Sequence, residues 1–321
     1  MMKMNSIRVM AIGMMVAVSA FVFESCSKEG PIGPAGADGT DANAISAADQ
    51  AAYDAADGTI GARLFDHVLN QIDYLPTAEM CDANHSNFFR CKSCHGWDLR
   101  GRNGVLINKT PTATYPVAAD VDLYIWARNH NIREIFDAVK NIGGRPKSTA
   151  TSYNSTMPDY SQLLTDAQIW QLVKFLKSTS HNVFDFYDMS TSGTYPTGTK
   201  TFSNIGKGGN AANGKVVYDA KCAMCHGADG KDIDIYCQGL FLGEMFRQDP
   251  HEIQHKAVWG MPNDREHITS GCFSGVTQMP QVALTDQEIK DLLMMGRDTI
   301  LFPNGAKKSS NPENFNSFGV N

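Results

Sequence analysis

Three observations predict an all-α fold built as two tandem copies. Cys-x-x-Cys-His occurs twice, as "RCKSCHGWD" at 90–98 and "KCAMCHGAD" at 221–229. The segments around each string recur in the same order, which marks an internal duplication. Apolar residues repeat at helical spacing, and no stretch alternates as a strand would. The chain has 321 residues, 42% of them hydrophobic, enough for one large core or two small ones. Twenty-eight basic against 34 acidic residues leave a net charge of −6 without a clustered basic stripe, which sets nucleic acid aside as a partner.

Residues 1–25 have the layout of a signal peptide: Lys3 and Arg8, then an uncharged run from Val9 to Phe23. That run is short for a bilayer span, which needs about 20 apolar residues. Cys26, after Ser25, resembles the lipidation site of a bacterial lipoprotein, although Phe23 and Glu24 depart from the usual lead-in. The alternative is cleavage to a soluble exported protein. Residues 26–59 open with Gly and Pro at short intervals, too few triplets for a collagen helix, and read as a tether holding the folded part away from a membrane.

The copies align segment by segment. "GARLFDHV" at 61–68 matches "GKVVYDAK" at 214–221, and "LYIWARNHNIREI" at 123–135 matches "LFLGEMFRQDPHEI" at 240–253 with one insertion. Leu64, Phe65, Val68 and Ile72 recur at helical spacing. Ile169, Leu172, Val173 and Leu176 form a core stripe that Ile289, Leu292 and Leu293 repeat. Thr165 with Gln168, and Thr285 with Glu288, fit the capping box that starts a helix. Domains over 60–185 and 208–302 follow, with 186–207 as a flexible Gly/Ser/Thr-rich linker and 303–321 as a polar tail.

Random placement of 8 Cys and 9 His would give about 0.006 Cys-x-x-Cys-His strings. The spacing suits covalent attachment of haem c: two thiols bond the vinyl carbons and the next residue offers its imidazole to the iron. Cys91, Cys94 and His95 would hold one haem, and Cys222, Cys225 and His226 the other. A thioredoxin-like pair would need a βαβ setting, a zinc ribbon would not require the following His, and two structural disulfides are the remaining alternative. Met157-Pro158 and Met279-Pro280 stand at matched places before the capped C-terminal helices.

This arrangement closely resembles class I cytochrome c over roughly 60–180 and 208–302, including Gly96 and Gly227 after each His. The resemblance implies helices wrapped round two haems, with Met157 and Met279 as distal iron ligands beside His95 and His226. Met261 is a rival for the second site. In the loop the first copy inserts before Cys91, Cys81 or His85 could replace Met157, and Cys237 with Cys272 reads as a disulfide. His67, His130, His181, His251, His255 and His267 belong to no motif and are expected at the surface or in helix caps. Trp97 and Trp126 are expected near the first haem.

The implied function is an exported dihaem carrier, lipid-anchored and facing the periplasm or cell surface, that passes single electrons between redox partner proteins. The alternative is an oxidoreductase with one catalytic haem, similar to thiosulfate dehydrogenases or dihaem peroxidases. A third reading is the cytochrome subunit of a larger complex.

Overall fold

The computed structural model describes residues 44–68, 86–112, 115–144, 157–233, 240–260 and 279–305. The leader at 1–25, Cys26, the start of the tether, Ile72, Cys81, His85, Cys237, Met261, His267, Cys272 and the tail from 306 lie outside the described residues. Among the described residues no helix is long and apolar enough to cross a membrane.

The first copy comprises α1 (Ala47–Ala55), α2 (Gly58–Asp66), α3 (Cys91–His95), α4 (Leu123–Asn129), α5 (Ile132–Lys140) and α6 (Asp166–Lys174), the last running on into a π turn over Phe175–Thr179. α2 crosses α6 at Gly61, where a Cβ would come within 2.0 Å of the Gln171 carbonyl oxygen. Only hydrogen at that position lets the two backbones touch. Ile169, Leu172, Val173 and Leu176 are all buried, and the Thr165–Gln168 capping box forms as the sequence predicts. Arg128 ties the end of α6 to α4, donating from Nη2 to the Ser180 carbonyl at 2.8 Å.

The second copy repeats the plan with α7 (Ala211–Lys221), α8 (Ala223–His226), α9 (Leu242–Gln248), α10 (Pro250–Trp259) and α11 (Asp286–Met295). Here α7 crosses α11 at Gly214, and a Cβ would lie 2.1 Å from the Asp291 carbonyl oxygen. Ile289, Leu292 and Leu293 are buried and the Thr285–Glu288 box is present. Arg247 takes the part of Arg128, donating to the carbonyls of Gly296 at 3.0 Å and Phe302 at 2.9 Å. In both copies a guanidinium thus satisfies carbonyls beyond the last helix that have no partner within it.

Two expectations about the connecting segments need correction. Residues expected to form a flexible linker within 186–207 carry an antiparallel hairpin, β1 (Asp188–Ser192) and β2 (Thr199–Ser203), with Ser190 opposite Thr201. Thr and Phe on β2 tolerate extended backbone, and Gly193 takes the positive φ of the turn. The hairpin is anchored on the first copy: Lys200 Nζ donates to the Val105 carbonyl at 2.9 Å, and the Ala118 amide donates to the Tyr195 hydroxyl at 3.0 Å. The tether, expected to run to 59, gives way to α1, which a Ser46–Asp49 capping box starts. Arg133 of α5 pairs with Asp49 at 3.2 Å, and the Tyr53 hydroxyl donates to Ser178 Oγ at 2.9 Å, so α1 lies on the first copy.

The unassigned histidines also differ from expectation. His67, His251 and His255 are buried: α10 of the second copy packs against α2 of the first, His255 stacks on Trp97, and His251 stacks on Phe202 of β2. His181 faces Asp286 at the start of α11, with Nδ1 and Oδ1 3.2 Å apart. His130 does cap a helix, its Nδ1 lying 2.8 Å from the Trp126 carbonyl oxygen.

Candidate functional site

Each Cys-x-x-Cys-His string folds as one short helix, α3 or α8, closed by a glycine with positive φ: 72° at Gly96 and 78° at Gly227. A side chain at either glycine would be strained. It would also meet a carboxylate, Asp98 Oδ1 at 2.5 Å or Asp232 Cγ at 2.6 Å. One helical turn places the two cysteines and the histidine on neighbouring positions of a single short segment. All four thiols are free, so the disulfide reading fails. Among the described residues no group of three or more His, Cys, Asp or Glu is arranged to hold a metal, and the cysteine pairs form no zinc ribbon.

Around α3 two adjoining cavities, of about 230 and 170 Å³, share Cys91, His95, Met157 and Tyr160 as walls. Cys94 and Pro158 line the larger. Phe65, Trp126, Ile135, Leu172 and Leu176 line the smaller, which is almost wholly apolar. The structure therefore brings together Cys91, Cys94, His95 and Met157, from α3 and from the segment before α6. Trp126 lines the cavity as expected. Trp97 is buried against Phe65 and His255 instead and is absent from either lining.

In the second copy Cys222 and Ala223 pack against the core, and Tyr218 donates to the Gly227 carbonyl at 2.7 Å, fixing the end of α8. Met279 is half-buried beside the end of α10: a Cβ on Gly260 would lie 2.7 Å from its carbonyl oxygen, and the Val282 amide donates to the Ala257 carbonyl at 2.9 Å.

Burial pushes the pKa of His95 and of His226 down to about 4, so each imidazole is neutral and able to donate a lone pair. The Nδ1 of each is buried without a hydrogen-bond partner. Burial pushes the thiols of Cys91 and Cys222 up to about 11 and that of Cys94 to about 12, which holds them protonated rather than as thiolates. Asp98, three residues past His95, is raised by burial to about 6 despite accepting from the Val105 amide at 2.9 Å. Protonated thiols, a neutral imidazole and an apolar space lined by a thioether fit a covalently bound porphyrin and its iron.

The glycines at the helix crossings and the two arginines were missed by sequence reasoning. Gly61 and Gly214 stand at matched positions of the repeat, and that matching was the available signal; Arg128 and Arg247 do not fall opposite one another in the sequence and correspond only as the sixth residue of α4 and of α9.

A family model described as Cytochrome c matches residues 85–180 and again 211–294, more than half of the chain. No curated protein and no solved structure matches.

Proposed function

The chain belongs to the cytochrome c family, with two domains in tandem and two covalently bound c-type haems, and from that premise we propose an exported dihaem carrier that moves single electrons between redox partner proteins. The observation that carries the reading is the first attachment helix, whose Cys91, Cys94 and His95 line the larger cavity together with Met157, next to the smaller apolar one.

In this reading Cys91 and Cys94 would bond the first porphyrin as thioethers, and His95 and Met157 would ligate its iron. Cys222, Cys225, His226 and Met279 would do the same in the second copy. When bound, each haem supplies a one-electron iron couple, which a His/Met pair sets higher than bis-His would. Phe65, Ile135, Leu172 and Leu176 keep water from the first iron. The domains run over 60–185 and 208–302, and Cys26 carries the lipid that holds the protein to a membrane facing the periplasm or cell surface.

Haem quantification and EPR on one oxidised, purified sample test this. Two haems per chain, both low-spin and indifferent to added cyanide, are expected. One high-spin or thiolate-ligated haem would overturn the carrier reading in favour of a catalytic centre. Met157→Ala and Met279→Ala are each expected to alter the spectrum of one haem; an unchanged spectrum from either removes that ligand assignment.

A further inference from the structure

Trp259 ends α10, in the second copy, yet its side chain belongs to the core of the first. Its ring meets Phe175 edge-on at 5.1 Å and 88°, His181 at 5.1 Å and His255 at 4.8 Å. His255 stacks on Trp97. Trp97 lies 5.9 Å from Phe65, which lines the cavity at His95 and Met157. On the other side His181 meets Phe186 at 5.4 Å, in the core against which Cys222 packs. An unbroken row of rings therefore joins the first cofactor cavity to the second core.

Charges pair alongside this seam. Asp66 of the first copy binds Arg90 at 2.8 Å and Lys92 at 3.0 Å, Glu252 of the second binds Lys256 at 2.6 Å, and Lys92 is attracted to Glu252 across the gap. Contacts between domains of one chain are commonly small and polar and permit relative motion. An indole set into the neighbouring core opposes that motion, because withdrawing it exposes the ring and leaves a void among Phe175, His181 and His255.

Resting on the two-haem reading above, we propose that Trp259, seated by His255, is a positioning residue for electron transfer within the chain: it holds the two attachment sites at one separation. One electron leaves the iron at one site and arrives at the other. The donor iron goes from ferrous to ferric and the acceptor from ferric to ferrous; no bond forms or breaks and no proton moves. Tunnelling falls steeply with distance, so a fixed gap gives one rate where a mobile one gives a spread.

The test is a pulsed-EPR distance measurement between the two ferric haems of the full-length holoprotein, with haem counted in the same sample. The wild type is expected to give one narrow distance distribution. Trp259→Ala broadens it and slows internal electron equilibration after flash reduction by about tenfold or more, with both haem spectra retained. Trp259→Phe keeps the narrow distribution and restores the rate. His255→Ala, which leaves the indole in place, broadens the distribution less. A broad distribution in the wild type, or an unchanged one in both alanine variants, overturns the proposal and leaves the two-haem reading standing. Fewer than two haems in the wild type overturns that reading itself.

Discussion

The two attachment helices share a motif and lie in opposite surroundings. Between the cysteines of the first copy Ser93 is fully buried and Lys92 is held by Asp66 and over the ring of Trp97, next to α10 of the other copy. At the matching place in the second copy Met224 is 83% exposed. Duplication reproduced the crossing helices, the caps and the arginine ties; it did not reproduce what lies over the motif. Burial of a binding segment is set by what docks on it.

Trp259→Ala is expected to have the largest effect on this asymmetry, costing about 3–5 kcal/mol by the usual scale for a buried indole. The loss should fall on the first copy although the residue belongs to the second, raising amide exchange in α2 and α6. Faster exchange confined to α10 would show that the copies are independent. Next come Gly61→Ala and Gly214→Ala, each about 1–3 kcal/mol in chemical denaturation, because both added carbons would press on a carbonyl at nearly the same distance. Gly143→Ala meets nothing within 4 Å and should stay within about 0.5 kcal/mol. Tolerance of one crossing substitution and not the other would mean that the copies pack differently.

A smaller effect concerns pH. Burial pushes His251 down to about 3 and His255 well below its ordinary value, with Lys92 and Lys256 adding to both. The folded chain therefore binds fewer protons than the unfolded one between about pH 3 and the ordinary histidine value of about 6.5. Their contribution is complete above that value and is lost as pH falls through the window. His255→Phe should flatten this acid limb in urea unfolding between pH 7 and 4; an unchanged slope would place the limb elsewhere. The mildest difference is chemical. Dilute peroxide should convert Met224 to its sulfoxide before the buried Met245 and Met295, as peptide mass spectrometry reads it, with little loss of stability.

What the sequence made legible was local or repeated. Both capping boxes, both core stripes and both attachment strings depend on residues a few places apart, and each could be checked against its copy. Trp259 and His255 carry no such mark: their role depends on a face of α2 contributed by residues far back in the chain. The β1–β2 hairpin was hidden because its Ser, Thr and Gly composition matches that of a mobile linker, and Val105 and Ala118 hold it from outside the segment. Short α1 escaped because it packs with few apolar side chains and relies on Asp49 and Tyr53 for its contacts.

The helix crossings at Gly61 and Gly214 also bear on how the chain folds. Each joins the first helix of a copy to its last, so neither copy can close until nearly all of it has been made. Contacts between residues so far apart slow folding, since the entropy of closing the loop is lost before any burial offsets it. The first loop is the longer by less than a factor of two, which raises its closure cost by less than about 0.6 kcal/mol. During synthesis the first copy's crossing partners both emerge before α10 exists, so the seat for Trp259 is assembled ahead of the residue that fills it.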